Sequence, residues 1–381
     1  MLFSYFILSG ILCLAYLILL GIIFRYWKLT PFFKPSASDQ PVTRVSVIIA
    51  ARNEESHILE CVHSILNQNY PSHLYELIVV DDQSEDSTPD ILEDIKDSRL
   101  RIMRLGVYRR TTIQGSKKKA VAYGVNHASG DLILTTDADC LLPPDWISLH
   151  AAEFVESGRS LRIAPVKTHA GHGWLSVFQE LDFMNTFLIQ AGGIRSGLFQ
   201  LGSAANLSFT KSSFLQADPY SNNQHIASGD DLFLIRKLHK QDPESISVLK
   251  STDSTVHTQP VSSVSQLFSQ RLRWAGKLKR AGSPGLMFTS SLVWLCKTNL
   301  IASPLVALLS GSREYLWLSL GFLLVHFLMD FVFLWEASGF FKRRKLLWYF
   351  FPMEILFIIY LLFLGLISWL PVSLEWKDRK I

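Results

Sequence analysis

Cysteine is scarce in this chain: Cys13, Cys61, Cys140 and Cys296 are the four in 381 residues. Two lie in apolar segments and none forms a C-x-x-C pair, so neither a disulfide framework nor a zinc site is expected. Charge is also thin. Asp, Glu, Lys and Arg make up 18% of the residues against 49% hydrophobic, and the formal net charge is +4. That balance is too apolar for an ordinary water-soluble protein. The modest basic excess gathers near the apolar segments, which favours membrane phospholipid over nucleic acid as a partner. Two phosphate-cradling signatures are missing as well. There is no G-x-G-x-x-G and no G-x-x-x-x-G-K-[ST], so dinucleotide and P-loop readings lose their main support. "GSKKK" at 115–119 has a glycine and lysines without the P-loop spacing. No internal repeat or low-complexity stretch occurs.

The shortage of charge is local. Residues 2–24 carry none. A helix needs about 20 such residues to cross a bilayer. No basic segment precedes this run and no small-x-small site follows it, so a cleaved signal peptide is not expected. Arg25, Lys28 and Lys34 follow directly, and the positive-inside rule assigns that end to the cytoplasm. Apolar character returns from about residue 285. "EYLWLSLGFLLVHFLMDFVFLW" and "EILFIIYLLFLGLISWL" read as spans. "GLMFTSSLVWLCKTNLIASPLVALLSG" contains Lys297 and has two readings: one span with a polar neighbour for Lys297, or a surface helix followed by a short span. Lys342, Arg343, Arg344 and Lys345 should be cytoplasmic. Three tail spans then put the C-terminus outside, in tension with the basic "EWKDRKI". The expectation is an integral protein of the cell (inner) membrane with a cytoplasmic catalytic domain. Its parts are an N-terminal helix over 1–26, a water-soluble domain over 41–280, about three spans over 285–371 and a basic tail over 372–381.

Within 41–280, short β-branched runs alternate with helical segments. "RVSVIIA", "YELIVV", "RIMRL" and "DLILTTD" read as strands. "NEESHILECVHSILNQN", capped by Asn53, and "KKAVAYGVNHA" read as helices, the first with Ile58, Val62, Ile65 and Leu66 on one face. This alternation predicts an α/β fold with a mostly parallel sheet. Further on, "SLRIAPV" and "AANLSF" suit strands. "DDLFLIRKLHK" suits a helix, and "SVSQLFSQRLRWAGKLKR" suits an amphipathic one.

Ligands of such sheets bind beyond the carboxyl ends of the strands, and that is where this sequence keeps its acids. "VVDDQSEDST" sets Asp81, Asp82 and Asp86 at a strand end, either to accept hydrogen bonds from a base or ribose or as an acidic turn capping a helix through Ser87 or Thr88. "TTDADC" sets Asp137 and Asp139 at another. Hard oxygen ligands so spaced suit Mg²⁺ or Mn²⁺, although a bare D-x-D is common by chance and also makes a solvated turn. "ASGDDLFL" starts a helix with Asp230 and Asp231. Helix capping explains them, and so does a general base. "QRLRW" at 270–274 reads alone as a basic, aromatic anchor at a bilayer surface. His257, in "TVHTQP", lies near enough in sequence to approach a diphosphate, but a structural role suits it better.

Taken in order, "VSVIIAARNE", "DDQSEDST", "SKKKAVAYG", "TTDADC", "SGDD" and "QRLRW" resemble the motifs of membrane-bound family-2 glycosyltransferases of GT-A fold, such as polysaccharide synthases and ceramide glucosyltransferase. The resemblance covers about residues 43–280. It implies that Asp81 and Asp82 hold the nucleotide, with Ala51, Arg52 and Glu54 in the adjoining loop. It implies nucleotide contacts for Lys117 and Asp137, with Asp139 the direct metal ligand. Asp231, beside Asp230, matches the catalytic aspartate. Gln270, Arg273 and Trp274 match Q-x-x-R-W at the diphosphate and acceptor. "GSAANLSF" resembles the segment lining the acceptor end. Serine replaces the glycine before Lys117, and "AAR" stands where many members have a proline. The implied reaction is inverting transfer from a nucleotide sugar, a UDP-sugar above all, to a lipid or glycan hydroxyl. One base without a second carboxylate nucleophile also points to inversion. About three tail spans favour a lipid or lipid-linked acceptor over an extruded polysaccharide. A non-enzymatic membrane scaffold is the alternative from another class.

Overall fold

A computed structural model of the chain describes all residues except 36–41, 107–115, 170, 172, 222, 224–228, 369–374, 377–378 and 381. Gly115 and Ser228, which open "GSKKK" and "SGDD", lie outside the described residues, as does much of the basic tail. The chain divides into two compact units. One comprises Met1–Leu29, Ala170–Phe199 and Val261–Leu374; the other comprises Thr30–His169, Gln200–Pro260 and Glu375–Ile381.

The second unit is built on a sheet. Strands β1 (Val45–Ala51), β2 (Tyr75–Asp81), β3 (Leu100–Arg104) and β4 (Leu132–Asp137) run parallel, as the alternating pattern predicts. β1, β2 and β4 are buried, whereas the edge strand β3 is partly exposed; the helices that follow them in turn are α2 (Ile58–Leu66), α3 (Thr88–Asp94), α4 (Lys117–His127) and α5 (Trp146–Ser157). The sheet continues through β5 (Leu161–Ile163), β7 (Leu207–Thr210) and β8 (Ile246–Val248), in the order β3-β2-β1-β4-β7-β5-β8. β7, from "AANLSF", is antiparallel to β4 and β5. β6 (Val166–Thr168) and β9 (Val256–Thr258) pair separately, and α7 (Lys211–Ala217) and α8 (Asp230–Gln241) follow β7. Register places the acids. Ala51 of β1 lies opposite Asp81 of β2, and Ala50 opposite Asp137 of β4, so two acidic strand ends flank one central strand.

One capping expectation is corrected. Helix α2 starts at Ile58 with His57 at its cap, not at Asn53. Asn53 instead adopts φ 51°, and its Oδ1 accepts a hydrogen bond from Glu85 N–H at 2.9 Å. A left-handed turn suits asparagine because its short polar side chain bonds locally.

Asn206 ties the far half of the sheet together. It is fully buried and bonds four groups: Oδ1 accepts from Trp146 Nε1 at 2.8 Å and from His150 Nε2 at 3.0 Å, while Nδ2 donates to the carbonyls of Pro165 and Ser254. His150 is buried neutral, and burial pushes its pKa down to about 3.

The first unit is helical: α1 (Leu2–Leu29), α6 (Trp174–Ser196), α9 (Val264–Ala281), α10 (Pro284–Ser310), α11 (Arg313–Phe340) and α12 (Phe350–Ser368). Among the described residues, four stretches are long and apolar enough to cross a membrane: α1, α10, α11 and Arg344–Ser368. The "GLMF…" segment is therefore a single 27-residue helix that carries Pro304 inside it. The basic end of α1 meets the C-terminal end of α11, where Lys28 and Trp27 both reach Glu336 at 3.1 Å. The basic residues near 28 and 342 thus share one end of the bundle. Helix α6 lies along α1, and a Cβ at Gly192 would collide with the Ile23 carbonyl.

Removing the Asn206 side chain strands several buried partners, so Asn206→Ala should cost about 3 kcal/mol or more. Thermal unfolding in detergent should show a midpoint lower by several degrees. His150 supplies the pH dependence. Its folded pKa lies below the unfolded value, so its stabilisation is complete above about pH 6.5 and declines as pH falls toward 3. His150→Gln should flatten the unfolding midpoint against pH between those limits. An equally steep profile in that variant rules the assignment out.

Candidate active site

The loops after β1 and β2 are zipped together. Arg52 is 5% exposed, and its guanidinium donates to the Asp82 and Gln83 carbonyls and to Glu85 Oε1. Asn53 N–H donates to Ser84 Oγ at 3.0 Å, and Glu54 N–H to Thr88 Oγ1 at 2.8 Å. The Asp81 carboxylate accepts from Ser84 N–H at 3.1 Å. Asp81 and Asp82 are both buried at this rim. Ser87 makes no side-chain cap on α3. Thr88 serves the neighbouring loop, and Asp86 accepts its N–H at 3.0 Å.

Lys117, the first residue of α4, joins the remaining acids. Its ammonium pairs with Asp137 at the end of β4 and lies 3.3 Å from Asp230 Oδ2 at the start of α8. Burial works against its charge, but Asp137, Asp230 and then Asp231 outweigh it and hold the lysine well above its ordinary range. Asp230 is buried and Asp231 half-buried, with Asp231 Oδ1 accepting from Leu232 N–H at 2.7 Å. Capping and chemistry are thus compatible here. Tyr220 donates to the Asp230 carbonyl at 3.0 Å and fixes the turn.

Asp137, Asp139 and Cys140 offer ligand atoms that all lie within 4.8 Å of one another. Burial, then the Asp137 charge, pushes the Asp139 carboxyl above its usual range. A half-buried carboxylate beside another is relieved by a cation, so these residues fit a divalent ion. The Cys140 thiol donates to Asp139 Oδ1 at 3.5 Å, and burial holds it protonated. Two further residues support this turn, of which Thr258 lies outside the sequence expectations. Thr258 Oγ1 reaches Asp139 Oδ2 at 3.4 Å, and His257 exchanges both backbone hydrogen bonds with Leu141. The structural role expected of His257 is this bridge. Its ring lies 5.0 Å from that of His169, and burial, then the Lys167 charge, lowers its pKa to about 4. No local pattern marks Thr258 or Tyr220, because their roles depend on distant turns.

The "QRLRW" residues are on α9, in the helical unit. Arg271, between the motif positions, is the buried one. It pairs with Asp182 of α6 at 2.7 Å and stacks its guanidinium 4.1 Å from the Trp274 ring. Trp274 also meets Phe183 edge-on at 5.9 Å. Gln270 Oε1 is buried without a hydrogen-bond partner among the described residues, and burial lowers the Arg273 pKa.

A mostly parallel sheet with nucleotide-type acidic loops and a D-x-D turn at its carboxyl edge defines a GT-A glycosyltransferase fold. Residues 46–203 match the model of Glycosyl transferase family 2, and the chain carries that domain. It is 27% identical over 261 residues to the beta-monoglucosyldiacylglycerol synthase of Synechocystis sp., covering 66% of this chain and 52% of that protein. It is 29% identical over 139 residues to the hyaluronan synthase of Streptococcus pyogenes serotype M3, covering 36% of this chain and 31% of that one. The chain spans about half the length of the first of these curated relatives. Among solved structures, the mannosyltransferase PcManGT from Pyrobaculum calidifontis, in complex with GDP-Man and Mn²⁺, aligns with a TM-score of 0.56. That alignment covers 94% of this chain and 98% of that one at 16% identity, which is a likeness of fold.

Lys117 is a fixed cation on carboxylates that also suit a metal. Lys117→Met should therefore tighten Mn²⁺ binding several-fold by removing a competitor. Asp139→Asn should weaken it by more than about tenfold, the range that loss of even an outer-shell partner produces. Titration followed by Mn²⁺ electron paramagnetic resonance measures both. Unchanged affinity in Asp139→Asn excludes the turn as the metal site.

Proposed function

We propose that this chain transfers a sugar, with inversion, from a nucleotide sugar to the hydroxyl of a lipid or lipid-linked acceptor at the cytoplasmic membrane face. The observation that carries this reading is the meeting of Lys117 with Asp137, Asp230 and Asp231, next to the metal-fitting pair Asp137 and Asp139. The lipid is favoured by the four apolar helices and by the name of the Synechocystis relative. The basic cluster at one end of the bundle favours the cytoplasmic side.

In this reading Asp81, Asp82 and the Ala51–Arg52–Glu54 loop hold the base and ribose. Asp231 accepts the proton of the acceptor hydroxyl. The hydroxyl oxygen forms its bond to the anomeric carbon as the bond from that carbon to the phosphate oxygen breaks. The electron pair leaves with the nucleoside diphosphate. Asp230 and Lys117 fix the position of Asp231, and Lys117 also faces the donor phosphates. A divalent ion, Mg²⁺ or Mn²⁺, supplies positive charge against the departing diphosphate when bound by Asp139 and Asp137. Gln270, Arg273 and Trp274 serve the diphosphate and acceptor, as the motif resemblance implies. Arg273 offers a planar guanidinium suited to phosphate.

Asp231→Asn should lower kcat by about 100-fold or more while leaving donor affinity nearly unchanged. Radiolabelled UDP-sugars on membranes, followed by lipid extraction and mass spectrometry, give the readout. Full turnover in Asp231→Asn sinks the mechanism. A ladder of sugar additions in the products moves the assignment to a processive synthase, the activity in the name of the Streptococcus relative.

A further inference from the structure

The spans themselves contain charge. Lys297 of α10 is 2% exposed and donates both to Asp330 of α11 and, at 2.8 Å, to Glu354 of α12. Tyr16 of α1 donates to Asp330. Each of the four candidate spans therefore supplies one member of a polar cluster. Ionisable side chains within spans cost several kcal/mol, and they recur where a protein binds or conducts something. The cluster is also unbalanced. Each carboxylate offers about four lone-pair sites, whereas one ammonium brings three donors and one phenol a single donor. Acceptor oxygens remain in excess.

A simple interhelical lock would be packed shut. Here a cavity of about 210 Å³ runs beside the cluster. Tyr16, Lys297, Asp330 and Glu354 line its polar side. Phe178, Leu181, Phe333 and Phe357 line its apolar side. Asn185 of α6 also faces the cavity, and its Oδ1 is buried with no hydrogen-bond partner among the described residues. Asp182, the partner of Arg271 in "QRLRW", is part of the same wall. Pockets that enclose whole drug-sized ligands measure about 300–1,000 Å³, so this one holds part of a molecule. The lining specifies that part. Apolar walls take a hydrocarbon segment, and surplus carboxylate and amide oxygens take a hydrogen-bond donor.

We propose that this cavity binds the hydroxyl-bearing end of a neutral lipid, the hydroxyl donating to the Glu354 and Asp330 carboxylates and the adjoining hydrocarbon lying along Phe178, Leu181 and Phe357. The proposal rests on the lipid-acceptor reading only in naming that lipid as the substrate. Binding itself is a separate property. A phospholipid whose headgroup has neither an O–H nor an N–H, such as a phosphatidylcholine, lacks the donor that the site selects.

The test is photo-crosslinking of the full chain in nanodiscs with a diacylglycerol that carries a diazirine in one acyl chain. Adducts should map to residues 178–189 and 353–361. Excess dioleoylglycerol should displace them, and its O-methyl ether should compete about tenfold less well, as loss of one hydrogen bond to a charged group implies. Val293→Trp, which fills the cavity, should abolish the adducts. If that variant is not monodisperse, Glu354→Gln decides, because it keeps the side-chain shape and should erase the preference for the free hydroxyl. Adducts spread evenly over the spans, or equal competition by alcohol and ether, overturn the proposal. Calorimetry with UDP and GDP on the parent chain keeps the two readings apart. Absent nucleotide binding removes the transferase reading, while the adduct map still decides the cavity.

Discussion

One ammonium organises the candidate site. Lys117 sits at the start of α4 and reaches both the end of β4 and the start of α8. Carboxylates packed this closely repel one another. The lysine charge offsets that repulsion, and by pairing with Asp137 and Asp230 it ties the start of α8 to the sheet edge. The cost of burying Lys117 is offset only because the acids converge on it.

Strand register sets the sheet side of this arrangement. Parallel pairing of β1 with β2 and β4 brings Asp81 and Asp137 to the same edge. The loops beyond are then held by Arg52, whose buried guanidinium spends its donors on backbone carbonyls and Glu85. Planar donors in a fixed fork suit that clamp better than a lysine would. These bonds tie the two loops together, because a half-paired buried network costs more than an apolar one.

The helical unit follows a second logic. Its spans are apolar outward, but their contacts with one another are polar at chosen points: Lys28 and Trp27 with Glu336, Tyr5 and Ser9 with Asn299, and Lys297 with Asp330 and Glu354. In a bilayer core, without water, such groups would need partners within the protein. Helix α6 obeys the same rule. Its inward residues include Gln179, Glu180 and Asp182, with partners at Val261, Arg343 and Arg271. These polar residues are interspersed among the buried Phe178, Leu181, Met184, Phe187 and Leu188, so hydrophobic period alone does not give their partners. Glu180 and Arg343 are 163 positions apart, so no local window contains the pair.

Local chemistry made much of this protein legible in the amino-acid sequence. Strand alternation, the acidic strand ends, the uncharged N-terminal run and the order of motifs needed only nearest neighbours and period to read, and they define the fold class. The position of α2 was less legible, because Asn53 suits a cap and a left-handed turn equally well, and only the facing loop with Glu85 selects the turn. Folding over long separations decided the rest. It assigned Lys117 to three acids, gave Thr258 to Asp139 and made Arg271 the buried member of "QRLRW". It also turned Lys297 from an interruption in an apolar run into the centre of an ion cluster beside a cavity. Each of these depends on a charge finding its partner across the fold. Sequence period carries no record of that, because Coulomb attraction and hydrogen bonding act through space rather than along the chain.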